Sequence, residues 1–132
     1  MFEIEVKTSK KEEFIDITKK IKDIVYRSGI KRGLCVVFVP HTTCGLMVNE
    51  NADPDVIRDI SAMLKKIVPD HMDYQHREGN SPAHIKSTLI GSSEYFIIDG
   101  GSIVLGTWQG IFLAEFDGPR HRKVWVKIIG DS

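Results

Sequence analysis

Residues 2–7, F-E-I-E-V-K, alternate apolar and charged side chains, the period of a half-buried strand. After a turn at Ser9 and Lys10, residues 12–16 continue as a second strand. Thr18 then stands as the cap of a helix reaching Ser28, because Ile17, Ile21, Ile24, Val25 and Ser28 share one face at helical spacing. Gly29 closes that helix. Residues 34–39, L-C-V-V-F-V, are an unbroken apolar run rich in β-branched side chains, which predicts a strand buried on both faces. Pro40 ends it, and Leu46, Met47 and Val48 form a further apolar piece. Asp53 caps the clearest helix and Pro54 opens it. Its Val56, Ile57, Ile60, Met63, Leu64, Ile67 and Val68 make one stripe expected in the core, before Pro69 stops the helix.

In the second half, Ser81 and Pro82 read as the cap and first residue of a short helix that ends at Gly91. Residues 94–99 and 102–105 are strands joined through Gly100 and Gly101 in a hairpin-like turn. Residues 106–110 bend or bulge the chain, and residues 111–116 resume as a strand. A turn at 117–119 leads to a last strand over 122–129, with Val124, Val126 and Ile128 on one face. About seven strands and three helices, joined mostly by glycine turns, predict one α+β domain over residues 1–132. Its sheet is compact, mostly antiparallel and sandwich-like.

A chain of 132 residues can bury a sizeable core without staples. Eighteen basic residues balance eighteen acidic ones, which argues against a nucleic-acid partner. No apolar run approaches the roughly 20 residues of a membrane span, and the first residues carry no secretory pattern. Cys35 and Cys44 do not make a disulfide framework, so a reducing, cytoplasmic setting is expected. Cys35 and Cys44 both read as packed core, since free cysteine behaves as a small hydrophobe.

Chemistry concentrates in residues 74–87, Y-Q-H-R-E-G-N-S-P-A-H-I-K-S. His76 and His84 flank Arg77, Glu78 and Asn80, with Gly79 as a joint. His41 follows a buried strand and precedes two threonines. Regular zinc spacing is absent, but His41, His76 and His84 could converge on a divalent metal. The competing reading has them bonded to backbone and to Glu50, Glu115 or Asp117. Arg120, His121 and Arg122 form a positive cluster suited to phosphate, unless the arginines pair with Asp117 and Glu115 or with another subunit. The helix start at 81–83 offers free N–H groups to an anion.

Three motifs stand in order along the chain: H-T-T at 41–43 with N-E-N at 49–51 and D-P at 53–54, H-x-x-x-N-x-x-x-H-I-K from His76 to Lys86, and G-T-W-Q-G at 106–110. Together they resemble the YjbQ family, also labelled the secondary thiamine-phosphate synthase family, over essentially the whole chain. The resemblance implies a compact sandwich-like fold, a homotrimer, and a cavity lined by His41, Thr42, Asn49, Glu50, His76, Asn80, His84, Lys86, Trp108 and Gln109. Cys44 stands where relatives are expected to carry serine or another small residue.

The implied activity joins a pyrimidine diphosphate to a thiazole phosphate. Dedicated enzymes of that reaction resemble (β/α)₈ barrels of about 250 residues, so this chain would work on another scaffold. In the enzyme reading, His41, Glu50, His76 and His84 are catalytic, with His76 or His84 as acid or base. Lys86 with Arg120 or Arg122 holds phosphate, Trp108 stacks on a heteroaromatic ring, and zinc or magnesium helps pyrophosphate leave. The alternative is a non-catalytic trimeric module that binds a phosphorylated metabolite or a metal through the same residues. A third reading buries the polar cluster in the trimer interface.

Overall fold

A computed structural model describes residues 1–131. The order is β1 (Phe2–Lys7), β2 (Glu13–Asp16), α1 (Thr18–Ser28), β3 (Gly33–Phe38), β4 (Cys44–Glu50), α2 (Pro54–Ile67), α3 (Ser81–Ile90), β5 (Ser93–Asp99), β6 (Ser102–Ile103), β7 (Gln109–Glu115) and β8 (His121–Gly130). Five strands form one sheet in the order β1-β8-β3-β5-β6, and three form another in the order β2-β7-β4. The strand pairings of both sheets are antiparallel. The expected α+β sandwich is therefore present, with eight strands where the pattern suggested about seven.

The main core lies between the two sheets. Val37, Phe96, Val124 and Val126 come from the larger sheet, Leu46, Ile111 and Leu113 from the smaller, and Ile21, Ile24 and Val25 from α1. A second, smaller cluster covers the other face of the three-stranded sheet, where Ala83 of α3 packs on Ala114 and Phe116 with Phe14, Leu64 and Ile90 around them. β7 is thus covered on both faces and is buried from Gly110 to Glu115.

Several expectations need correction. β3 is not buried on both faces: Cys35 and Val37 point inward, while Leu34 and Phe38 are exposed. The outer face of its sheet also carries exposed Tyr95 and Ile97. An apolar run alone does not reveal whether a second layer exists to cover it. Most of the stripe of α2 is not core either, although Leu64 packs on the smaller cluster and Val68, just past the helix, is buried. That helix has no fully buried residue, and Met63 and Ile67 are 53% and 60% exposed. Asp53 does cap it, accepting from Asp55 N–H at 2.9 Å. Asp16, rather than Thr18, accepts the free N–H at the start of α1. α3 begins one residue early, with Asn80 at the cap position making no side-chain cap bond. No helix among the described residues is long and apolar enough to cross a membrane.

Candidate functional site

Beyond β3 the chain leaves the sheet at Pro40 and returns as β4 at Cys44, so residues 40–43 form a short link at the end of both sheets. α3 lies over the start of β4. Gly45 makes this possible: a Cβ there would sit 2.6 Å from the Gly91 carbonyl oxygen and 3.0 Å from an Ile90 methyl group. The Leu46 N–H donates to Gly91 O at 2.9 Å and the Val39 N–H to Ser92 O at 2.7 Å, which fixes the end of α3 against both strands.

Between this link and α3 run two adjoining clefts that share His41, Thr42 and His84. One, of about 460 Å³, continues past Cys44 to Ser87 and Ser92. The other, of about 350 Å³, continues to Glu78, Asn80, Arg120 and Arg122. The His76 ring meets His84 edge to face with centroids 5.2 Å apart. His41, Thr42, Asn80, His84, Arg120 and Arg122 are therefore gathered in one place, with His76 at its margin.

The bonding of these groups decides what they can do. The Lys123 N–H donates to His41 Nε2 at 2.9 Å, so the ring proton sits on Nδ1. Burial, helped by the Arg122 charge, pushes the His41 pKa down and keeps the ring neutral. His41 thus offers an N–H donor and no free lone pair.

Arg122 lies across Glu115, which is fully buried. Its Nε donates to Glu115 Oε1 at 2.9 Å and its Nη2 donates to Glu115 Oε2 and, at 2.8 Å, to Thr43 Oγ1. The Thr8 hydroxyl donates to the same carboxylate at 2.7 Å. Burial pushes Glu115 up, but the Arg122 and Thr8 bonds outweigh it and hold the carboxylate below its ordinary range. Arg120 donates from Nη2 to Asp117 Oδ2 at 2.9 Å. Both arginines are thus paired with the carboxylates named as their competing partners, and each keeps Nη1 free of protein bonds among the described residues.

Two buried side-chain atoms among the described residues have no hydrogen-bond partner, Asn80 Oδ1 and Ser87 Oγ. Both belong to residues lining the clefts beside His84. Asn80 commits its amide N–H to Asp117 Oδ2 at 3.0 Å, which leaves the carbonyl oxygen as the orphan.

Lys86 lies elsewhere. It is 1% exposed, pairs with Glu12, and borders a separate cavity of about 410 Å³ on another face of α3. Asn49, Glu50, Trp108 and Gln109 gather at the far end of the three-stranded sheet, where Glu50 faces Gln109. Trp108 is 62% exposed there and stacks on none of the cleft residues. Within one chain the three motifs do not form one cavity. Among the described residues, no group of three or more His, Cys, Asp or Glu is arranged to hold a metal ion. Burial pushes the Cys44 thiol to about 12, which rules out a ready thiolate and agrees with its reading as core.

Ser87, Thr43, Glu115 and Glu12 were not singled out as site residues from the sequence. Ser87 sits directly after the second motif, three residues beyond His84. Glu115 had a signal, a lone carboxylate in the apolar run I-F-L-A-E-F, seven residues before Arg122.

Residues 2–131 match the family model described as UPF0047 protein YjbQ-like. A UPF0047 protein of Methanocaldococcus jannaschii is 53% identical over 100% of this chain and 96% of its own length. A crystal structure of an uncharacterized conserved YjbQ/UPF0047 protein from Clostridium acetobutylicum superposes with a TM-score of 0.95 at 57% identity, covering 98% of this chain and 100% of that one. A YbjQ-like protein of unknown function from Sulfolobus solfataricus gives a TM-score of 0.94 at 37% identity, covering 98% of this chain and 96% of that one.

Proposed function

The chain belongs to the YjbQ-like UPF0047 family, and from that premise we propose that it is a small-molecule enzyme working in the paired clefts around His84. The observation that carries this reading is the pair of orphaned buried atoms, Asn80 Oδ1 and Ser87 Oγ. Folded chains bond nearly all buried polar groups, so two exceptions beside one histidine call for a partner that the chain itself does not supply.

The donors fit an oxygen-rich, phosphorylated ligand. His41, Thr42, Arg120 and Arg122 line the smaller cleft and carry an imidazole N–H, a hydroxyl and guanidinium N–H groups. Fixed N–H groups can bind phosphate oxygens even where each cation is already paired, because they are held in place before the ligand arrives. His84 makes no bond to the protein through its ring among the described residues, so it is the group free to move a proton. On this scaffold the reaction we propose is a secondary thiamine-phosphate synthase activity, joining a pyrimidine diphosphate to a thiazole phosphate. The residues do not present a resident metal centre, since the His41 lone pair is used by Lys123 N–H. A divalent ion, zinc or magnesium, would accompany the pyrophosphate as part of the substrate. The test is turnover of the two precursors by the protein and by His84→Ala. Unchanged turnover in the variant sinks the catalytic role.

One observation favours a second reading, a non-catalytic trimeric module that binds a phosphorylated metabolite. Lys86, Arg120 and Arg122 are all internally neutralised, an arrangement that holds donors still without needing catalysis. Binding of phosphorylated ligands that survives His76→Ala/His84→Ala, with no turnover in either protein, would decide for it. Homotrimer formation is part of both readings. It is supported by the uncovered apolar outer face of the five-stranded sheet, with Leu34, Phe38, Tyr95 and Ile97 exposed. The free thiols of Cys35 and Cys44 suit the cytoplasm.

A further inference from the structure

The cavity behind α3 shares only Asn80 with the clefts and also takes in His76, and it holds the most deeply buried cation among the described residues. Lys86 is the largest of the fully buried side chains. Its ammonium pairs with Glu12 and stands 5.9 Å from the centre of the Phe116 ring. An ion pair of this kind adds little to stability over a well-packed apolar pair, because both charges must leave water. A cavity of about 410 Å³ opens directly beside it.

We propose that Lys86 is a covalent nucleophile that forms an imine with a small hydroxylated aldehyde or ketone. Glu12 is fixed in place to serve it. The Gly118 N–H donates to Lys11 O at 3.0 Å, and a Cβ at Gly118 would meet the Lys10 carbonyl oxygen at 2.1 Å. The loop carrying Glu12 is thus pressed against the turn after β7, and Lys65 Nζ stands 3.8 Å from the other carboxylate oxygen. Within the pair, a proton passes from Lys86 Nζ to Glu12, and the freed lone pair attacks the carbonyl carbon. The new C–N bond gives a carbinolamine as the carbonyl oxygen takes up the second Nζ proton. Glu12 returns its proton to that hydroxyl, which leaves as water and gives the imine. Amine and carbonyl become imine and water, with no oxidant or reductant consumed. Phe116 and Ala83 offer the carbon skeleton an apolar wall. Asn80 forms the wall that this cavity shares with the smaller cleft.

The experiment uses the full chain, glycolaldehyde as the carbonyl probe and cyanoborohydride to trap the imine, with peptide mapping by mass spectrometry. Lys86 is expected to be labelled ahead of exposed lysines such as Lys19. Glu12→Gln, checked for fold by circular dichroism, should slow that labelling by about 100-fold, the low end for a general base. His84→Ala should label at the same rate, which separates this site from the cleft chemistry. Label spread over exposed lysines with Lys86 untouched overturns the proposal. Equal rates in Glu12→Gln overturn the role of the carboxylate and, with it, the reason for the pair.

Discussion

The two ends of the three-stranded sheet are built from the same pair of strands and differ in how their polar groups are used. At one end Cys44 faces Glu115, and at the other Glu50 faces Gln109. Six residues of strand put these ends about 20 Å apart. At the Glu50 end the polar groups satisfy one another near the surface. Gln109 accepts from the Gly106 N–H at 2.7 Å, Asn49 from the Glu50 N–H at 2.8 Å, and Asn51 donates to Asp16 at 3.2 Å. At the Glu115 end a carboxylate and a guanidinium are buried together, and two polar atoms close by remain unpaired. The state of these bonds sets the two ends apart, and a site is marked by groups the fold holds in place without fully satisfying them.

The largest test of this contrast is stability. Arg122→Ala leaves the Glu115 charge buried without its cation, and is expected to cost about 3–5 kcal/mol in chemical denaturation. Glu50→Ala, which removes one 3.2 Å acceptor of the Asp53 N–H, should cost about 1 kcal/mol or less. Comparable losses at the two ends would erase the distinction. Turnover comes next. His84→Ala should lower the rate by about 10²–10⁴, as removal of a general acid or base does, while Gln109→Ala should leave it unchanged.

Ser87→Ala sharpens the comparison in the opposite direction. Removing an unpaired buried hydroxyl should raise stability by about 1 kcal/mol and weaken ligand binding. A loss of stability instead would show that Ser87 has a partner in the free protein. Gln109→Ala should cost about 1 kcal/mol or less, since its one staple closes an exposed turn.

Acid titration gives the subtlest distinction. His41 has a lowered pKa in the folded chain, so below its ordinary 6.5 the unfolded chain takes up the proton first. Its contribution to stability is complete above that value and drains as pH falls, and His41→Gln should remove this first step from a stability–pH curve. Glu115 and Asp117 are also held low, so their contribution is complete above the ordinary carboxylate values and is lost as pH falls through their folded pKa values. Asp16 is likewise held low: burial raises it, but the Thr18 and Asn51 bonds outweigh that. The carboxylate step therefore belongs to both ends of the sheet and the histidine step to one.

Local patterns were legible in the sequence where their cause is local. The alternation of β1, the cap at Asp53, the left-handed Gly29 and the turn at Gly100 and Gly101 each follow from a few neighbouring residues. The apolar run of β3 and the stripe of α2 misled for one reason: what covers a face is decided by distant parts of the chain, or by another chain. His41, Asn80 and His84 stand in two of the motifs and Arg120 and Arg122 in a separate positive cluster, and only the fold brings the five to one cleft. Lys86 shares a motif with His84, yet the helix expected from Ser81 already puts the two on different sides. On a helix, residues two apart point away from each other, and that turn sends Lys86 to Glu12 instead of the cleft.

The pairing of β1 with β8 has a consequence for how the protein is made. β1 takes as its neighbour β8, far along the chain, and Thr8 waits for Glu115 across 107 positions. A growing chain that stops short of β8 lacks the central partner of both β1 and β3. Closure of the larger sheet therefore waits on contacts of long sequence separation, the kind that slow folding, and a chain cut before β8 should be cleared by proteases rather than persist as a shortened working protein.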